Sequence, residues 1–185
     1  YMDENTKEFS IERIICSGLP RTLQTAEHIA CRREITIECF PLLKEYEWDP
    51  NLLKDTKIER FGYLFEDSLA KEMIGGTEDA DEFYRRITCQ LETIVKEDWS
   101  EMAAFLHGAV NAARMCWVND VDISFASKYD QDHAALNIID IDVNEKGKIV
   151  RKILKRYNIP PNLSTIDSDM RSSWENTASK IANLK

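Results

Sequence analysis

Two short apolar runs that each break into a helix constrain this chain more than any other feature. Residues 102–106, Met-Ala-Ala-Phe-Leu, carry no charge, which is the pattern of a strand buried on both faces. His107 and Gly108 follow. From Ala109 the residues are mostly good helix formers, with Ala109, Ala113 and Cys116/Trp117 on one face. His107 therefore stands where a strand ends and a helix begins. Upstream, residues 11–16 (Ile-Glu-Arg-Ile-Ile-Cys) read as a second buried strand, and Ser17-Gly18-Leu19-Pro20-Arg21 as a second turn of the same design. Pro20 suits a first helical position, where a missing N–H costs nothing. Arg21 falls in the first turn, and Leu23, Ala26, Ile29 and Ala30 continue as an apolar stripe. Ligands gather at the carboxyl ends of strands in open α/β sheets. A helix start offers unpaired N–H groups to an anion, and a guanidinium fork suits phosphate. A lone His-Gly is as easily a histidine filling a turn. Two such turns, one bearing arginine and one histidine, point to a phosphate pocket.

The rest of the chain fits an α/β domain. Residues 35–40 (Ile-Thr-Ile-Glu-Cys-Phe) alternate in part and are β-branched, so they read as a strand that completes a βαβ unit with parallel pairing. The acidic loop 41–50 leaves the carboxyl end of that strand and carries Glu45 and Glu47. Either could protonate a leaving oxygen, and either could be a solvated charge. Residues 51–73 mix apolar and charged side chains at roughly helical spacing. Gly75-Gly76 breaks the chain, and Thr77 suits a helix N-cap with Glu78 and Asp79 in the first turn. Phe83, Ile87, Leu91 and Ile94 then mark one face of a helix to about Glu97. Residues 118–132 are loop-rich, and 136–143 read as a strand. Residues 144–147 form a hairpin turn, and 148–154 return as a lysine-bearing edge strand. In the tail 161–185, Met170, Trp174, Ile181 and Leu184 keep helical spacing, as in a helix that caps the domain or meets a partner.

Composition narrows the partners. The formal net charge of −9 argues against nucleic acid, which needs a basic face. A few local cations can still set the field of a small pocket against that charge. The cysteines Cys16, Cys31, Cys39, Cys89 and Cys116 have no metal-type spacing, and they read as free thiols of a reducing, cytoplasmic compartment. No metal or cofactor is expected, and no signal peptide or membrane span is visible. Of the other histidines, His28 lies inside the first helix, solvated or packed, and His133 in a polar loop, at most a rim residue.

Residues 17–27, Ser-Gly-Leu-Pro-Arg-Thr-Leu-Gln-Thr-Ala-Glu, resemble the Ser-Pro-Leu-x-Arg-x-x-Gln-Thr-Ala-Glu motif of the histidine phosphatase (phosphoglycerate mutase-like) superfamily. Phe105-Leu106-His107-Gly108 is similar to that family's second histidine motif. Gly75-Gly76-Thr77-Glu78 with Phe83 and Arg86 is similar to the stretch before it. Leu43-Lys44-Glu45 is similar to its proton-donor segment, and Asn137 with its strand to the family's late strand.

The resemblance implies a three-layer α/β/α sandwich with a mainly parallel sheet over residues 1–160, and a lid-like insertion at 51–74. It implies a phosphatase that hydrolyses a phosphorylated small molecule through a phosphohistidine. Arg21, His107 and Glu45 would be catalytic, and Arg21, His107 and Gly108 would bind the phosphate. The partners would then exclude nucleic acid and membrane, with a homodimer as one option. The family's nucleophilic histidine sits in an Arg-His-Gly strand, and no such triplet occurs in the sequence. That strand is expected upstream of Tyr1, inside the sheet. A non-catalytic module binding a phosphorylated ligand or a protein is the alternative, and a mutase is a third option.

Overall fold

The computed structural model describes residues 9–47 and 78–160. Its centre is β1 (Arg13–Cys16), which pairs in parallel with β2 (Ile37–Cys39) on one side and β3 (Met102–Phe105) on the other. The register sets Cys16 level with both Cys39 and Phe105, so β1 and its neighbours end together. α1 (Pro20–Arg33) links β1 to β2 and completes the expected βαβ unit. Pro20 opens the helix, and Arg32 and Arg33 in the last turn complement its negative end.

Alternation along β1 builds the layers. Ile14 and Cys16 pack with Ala26, Ile29 and Ala30 of α1 and with Phe105. Ile15 points the other way, into a core with Leu43, Phe83, Ile87 and the helix that follows His107. The Ile14, Ile15 and Cys16 side chains are all fully buried. The fold is thus mixed α/β, with helices on both faces of a parallel three-stranded sheet.

α2 (Ala80–Ile94) buries Phe83, Ile87, Leu91 and Ile94, the expected face, but both of its ends differ from expectation. Asp79 is the N-cap, accepting the Asp81 N–H at 2.7 Å. Thr77 lies outside the described residues. The helix stops at Ile94 rather than near Glu97, where the Trp99 indole N–H takes the Ile94 carbonyl at 2.7 Å. α3 (Gly108–Asn119) is buried nearly all round, between α2, the 3-10 turn Ile123–Lys128 and the final hairpin. Ala109, Ala112 and Ala113, all buried, are small enough to permit that close packing.

β4 (Leu136–Val143) and β5 (Ile149–Ile159) form an antiparallel hairpin that is a sheet of its own. β5 runs past the expected end at Leu154, because register shifts let Leu136 pair with Ile159. Lys152 ties the hairpin to α3, bonding the Trp117 carbonyl and Asp120 while lying 4.9 Å from the Trp117 ring centroid. β3 differs from the strand expected to be buried on both faces: only Phe105 is buried, and Met102, Ala103 and Ala104 are half-buried. Among the described residues its outer edge has no strand partner, and it opens onto a cavity. The lid-like segment 51–74 and the tail 161–185 lie outside the described residues. None of the described helices is long and apolar enough to cross a membrane.

Candidate active site

The parallel register brings the two strand-to-helix turns side by side. The Arg21 Nε–H donates to His107 Nδ1 at 3.1 Å, and His107 Nε2 lies 2.7 Å from Ser17 Oγ. Ser17 Oγ lies 3.0 Å from Thr22 Oγ1, which donates to the Leu19 carbonyl at 2.9 Å. These contacts fix every proton. A guanidinium only donates, so Nδ1 accepts and the ring proton sits on Nε2. Thr22 spends its hydrogen on Leu19, so Ser17 donates to Thr22 and accepts from His107. The chain runs Arg21 to His107 to Ser17 to Thr22 to Leu19 without a conflict. It also holds His107 neutral. Burial, and next the Arg21 charge, push the imidazole down to about 4.

Glu45 enters from the loop after β2 and the 3-10 turn Pro41–Leu43. Its Oε1 accepts the Tyr46 N–H at 3.0 Å. The first N–H groups of α3, those of Ala109 and Val110, also bear on its carboxylate, and a Cβ placed on Gly108 would lie 3.9 Å from Oε2. Burial raises the Glu45 carboxyl above the usual range, against those N–H bonds and Arg21. A carboxyl that holds its proton more tightly than usual suits a proton donor.

Arg86 holds this loop in place. It grips Glu78 in two bonds of 3.0 and 2.5 Å and donates to the Leu42 carbonyl and, at 3.1 Å, to that of Lys44. The Tyr46 hydroxyl donates to the Glu78 carbonyl at 2.6 Å, closing the ring of contacts.

Arg21, Glu45, His107 and Gly108 line one cavity of about 620 Å³. Glu47, the rival carboxylate, is exposed and paired with Lys44 at 3.4 Å. His28 is exposed on α1, and His133 is exposed at the cavity rim. Among the described residues no cluster has the makings of a metal site.

The sequence matches the histidine phosphatase superfamily (branch 1) over residues 2–153. The chain belongs to the histidine phosphatase superfamily. A mycobacterial protein titled "Mycobacterial hydrolase 2" has a similar structure, with a TM-score of 0.71 at 16% identity, covering 98% of this chain and 80% of that one. The alpha-ribazole phosphatase of Shigella flexneri gives 0.62 at 15% identity, covering 84% and 79%. A mycobacterial glucosyl-3-phosphoglycerate phosphatase gives 0.64 at 17%, covering 84% and 81%. At these identities the likeness is one of fold. Among curated proteins none matches the sequence.

Three residues of this histidine phosphatase relative carry more of the pocket than their sequence context suggests. Ser17 and Thr22 complete the His107 chain, yet hydroxyls at a helix start read equally as caps. Arg114 is the third. It lines the cavity from α3, burial pushes its guanidinium down to about 10, and its Nε has no hydrogen-bond partner among the described residues. A buried guanidinium nitrogen without a partner among the described residues, on a side chain that lines a cavity, is a signal that only packing reveals.

Proposed function

We propose that the protein is a phosphomonoesterase whose pocket lies at the carboxyl ends of β1 and β3. The carrying observation is the Arg21–His107–Ser17 chain opening on the cavity that Glu45 enters. Arg21 uses Nε on His107 and leaves the rest of its fork for phosphate oxygens. Arg114 adds a second cation to the lining of the same cavity. Glu45, whose burial favours the protonated form, gives its proton to the departing oxygen and then takes one from the attacking water.

In this scheme the phosphoryl group passes first to an imidazole nitrogen. His107 is ill suited to attack: its Nδ1 lone pair meets Arg21, and its Nε2 carries the proton given to Ser17. Its part is to orient Arg21 and meet the anion. The scheme therefore needs a second imidazole facing the cavity between β3 and β4. Support comes from these two strands, which both border the cavity, residues 102–106 and 136–141 being in its lining.

The same commitment of both His107 nitrogens, with no Arg-His-Gly in the sequence, favours a second reading: a module that binds a phosphorylated ligand without turnover. Incubating the full chain with an aryl phosphate separates the two. Release of inorganic phosphate, with an acid-labile phosphoryl group on the quenched protein, is expected of the enzyme. Saturable phosphate binding without release would select the module, and absence of both would end the phosphate reading.

A further inference from the structure

The ends of β1 and β2 carry a pair of thiols that the phosphate chemistry does not use. Cys16 and Cys39 are register partners on parallel strands, and their Sγ atoms lie 3.6 Å apart, in van der Waals contact. Neighbouring strands run about 4.8 Å apart, inside the Cα separation of about 4.4–6.8 Å that a disulfide requires. Cys16 is buried and Cys39 is exposed, so an oxidant reaches one sulfur while the second waits behind it. We propose that Cys16 and Cys39 are a redox-modification site that closes to an intramolecular disulfide under a peroxide.

The step balances with hydrogen peroxide as oxidant. The Cys39 sulfur takes one oxygen to become a sulfenic acid, and water leaves. The Cys16 sulfur then attacks Cys39 Sγ, the S–S bond forms as the S–O bond breaks, and the departing hydroxide takes the Cys16 proton as a second water. Two thiols and one peroxide give one disulfide and two waters. The contact with Cys16, then burial, holds the Cys39 thiol above the usual range. Little thiolate is present near neutrality, so the reaction calls for excess peroxide.

The site adjoins the pocket. Cys16 Sγ accepts the Gly18 N–H at 3.3 Å, in a turn where Gly18 has a φ of +82°. A Cβ on Gly18 would meet the Cys39 Cβ at 3.6 Å. Ser17, between Cys16 and Gly18, is the acceptor for His107. Closing the disulfide draws Cys16 Sγ away from the Gly18 N–H and loosens the turn that aims Ser17. This coupling rests on the phosphate-pocket reading; the disulfide does not.

The test treats the reduced full chain with excess hydrogen peroxide, blocks free thiols, digests with trypsin without reductant and weighs the peptides. The expected product joins residues 14–21 to 34–44 with the loss of two hydrogens. It should be missing from Cys39→Ser and retained in Cys31→Ser and Cys89→Ser. Calorimetry with inorganic phosphate on the same samples should show about fivefold weaker binding after oxidation, the loss of one hydrogen bond. A reductant should restore the affinity, and Cys39→Ser should show no change. Oxidation at Cys31 or Cys89 with 14–21 and 34–44 left unlinked would overturn the site, as would a link formed only between molecules. A link without a change in affinity would overturn the coupling. A reduced protein that binds no phosphate would end the pocket reading, while the peptide result still decides the cysteine pair.

Discussion

His107 is neutral because burial, and next the Arg21 charge, disfavour the imidazolium, and that has a thermodynamic consequence. An imidazole pushed from 6.5 to about 4 binds fewer protons folded than unfolded between those values. Its contribution to stability is present in full above about pH 6.5 and is lost as pH falls towards 4, by about 3 kcal/mol in all. Glu45, raised by burial, works in the opposite direction, so the comparison must be with a variant. Urea unfolding of wild type and His107→Gln from pH 7 to 4 should show the variant losing less stability over that range; parallel curves would contradict the assignment. Arg21→Ala should weaken inorganic phosphate binding by about 1.5–3 kcal/mol, the worth of hydrogen bonds to a charged group, and unchanged calorimetry would count against the pocket. Glu45→Gln should lower turnover of alkyl phosphates by roughly 10²–10⁴-fold while sparing aryl phosphates, whose leaving groups need little protonation. Equal losses on both would move the acid role elsewhere. The placing of Arg21 and His107 at strand-to-helix turns was legible in the sequence, whereas Glu45 was set apart from Glu47 only by the family resemblance. The roles of Ser17 and Thr22 were not legible, since they depend on β1 and β3 meeting in parallel register.

At the scale of elements, Arg86 shows how a helix on one face sets a loop at the edge of the sheet. It leaves α2 to hold the Leu42 and Lys44 carbonyls on either side of Leu43, and Glu78 keeps its guanidinium in position. Arg86→Ala should cost about 2–3 kcal/mol of stability, because it leaves the half-buried Glu78 carboxylate unpaired. The expected sign is a lower urea midpoint with an unchanged m-value, and a shift smaller than about 0.5 kcal/mol would reject the clamp. The main elements could be read from periodicity: the alternation of β1, the stripe of α1, the Phe83-to-Ile94 face of α2 and the hairpin around Asn144 and Gly147. The ends could not. Asp79 displaces Thr77 as the α2 cap because the helix starts later than Thr77 would allow. β5 outruns its apolar pattern because Asn158, at its end, is bonded to Asn137 and Gln131, which no local pattern encodes.

The molecule as a whole carries a net charge of −9, yet the cavity at the ends of β1 and β3 is lined by both Arg21 and Arg114. That local field, with His107 held ready beside it, is the core of the functional account. With three histidines in the chain, it can be read directly from a ¹⁵N-imidazole NMR spectrum recorded from pH 7 downwards, with and without inorganic phosphate. One histidine should remain the Nε2–H tautomer to well below pH 6, should vanish in His107→Gln, and should be the resonance that phosphate shifts, leaving His28 unmoved. A His107 signal that titrates near the ordinary value of about 6.5, or that ignores phosphate at saturating concentration, would contradict it.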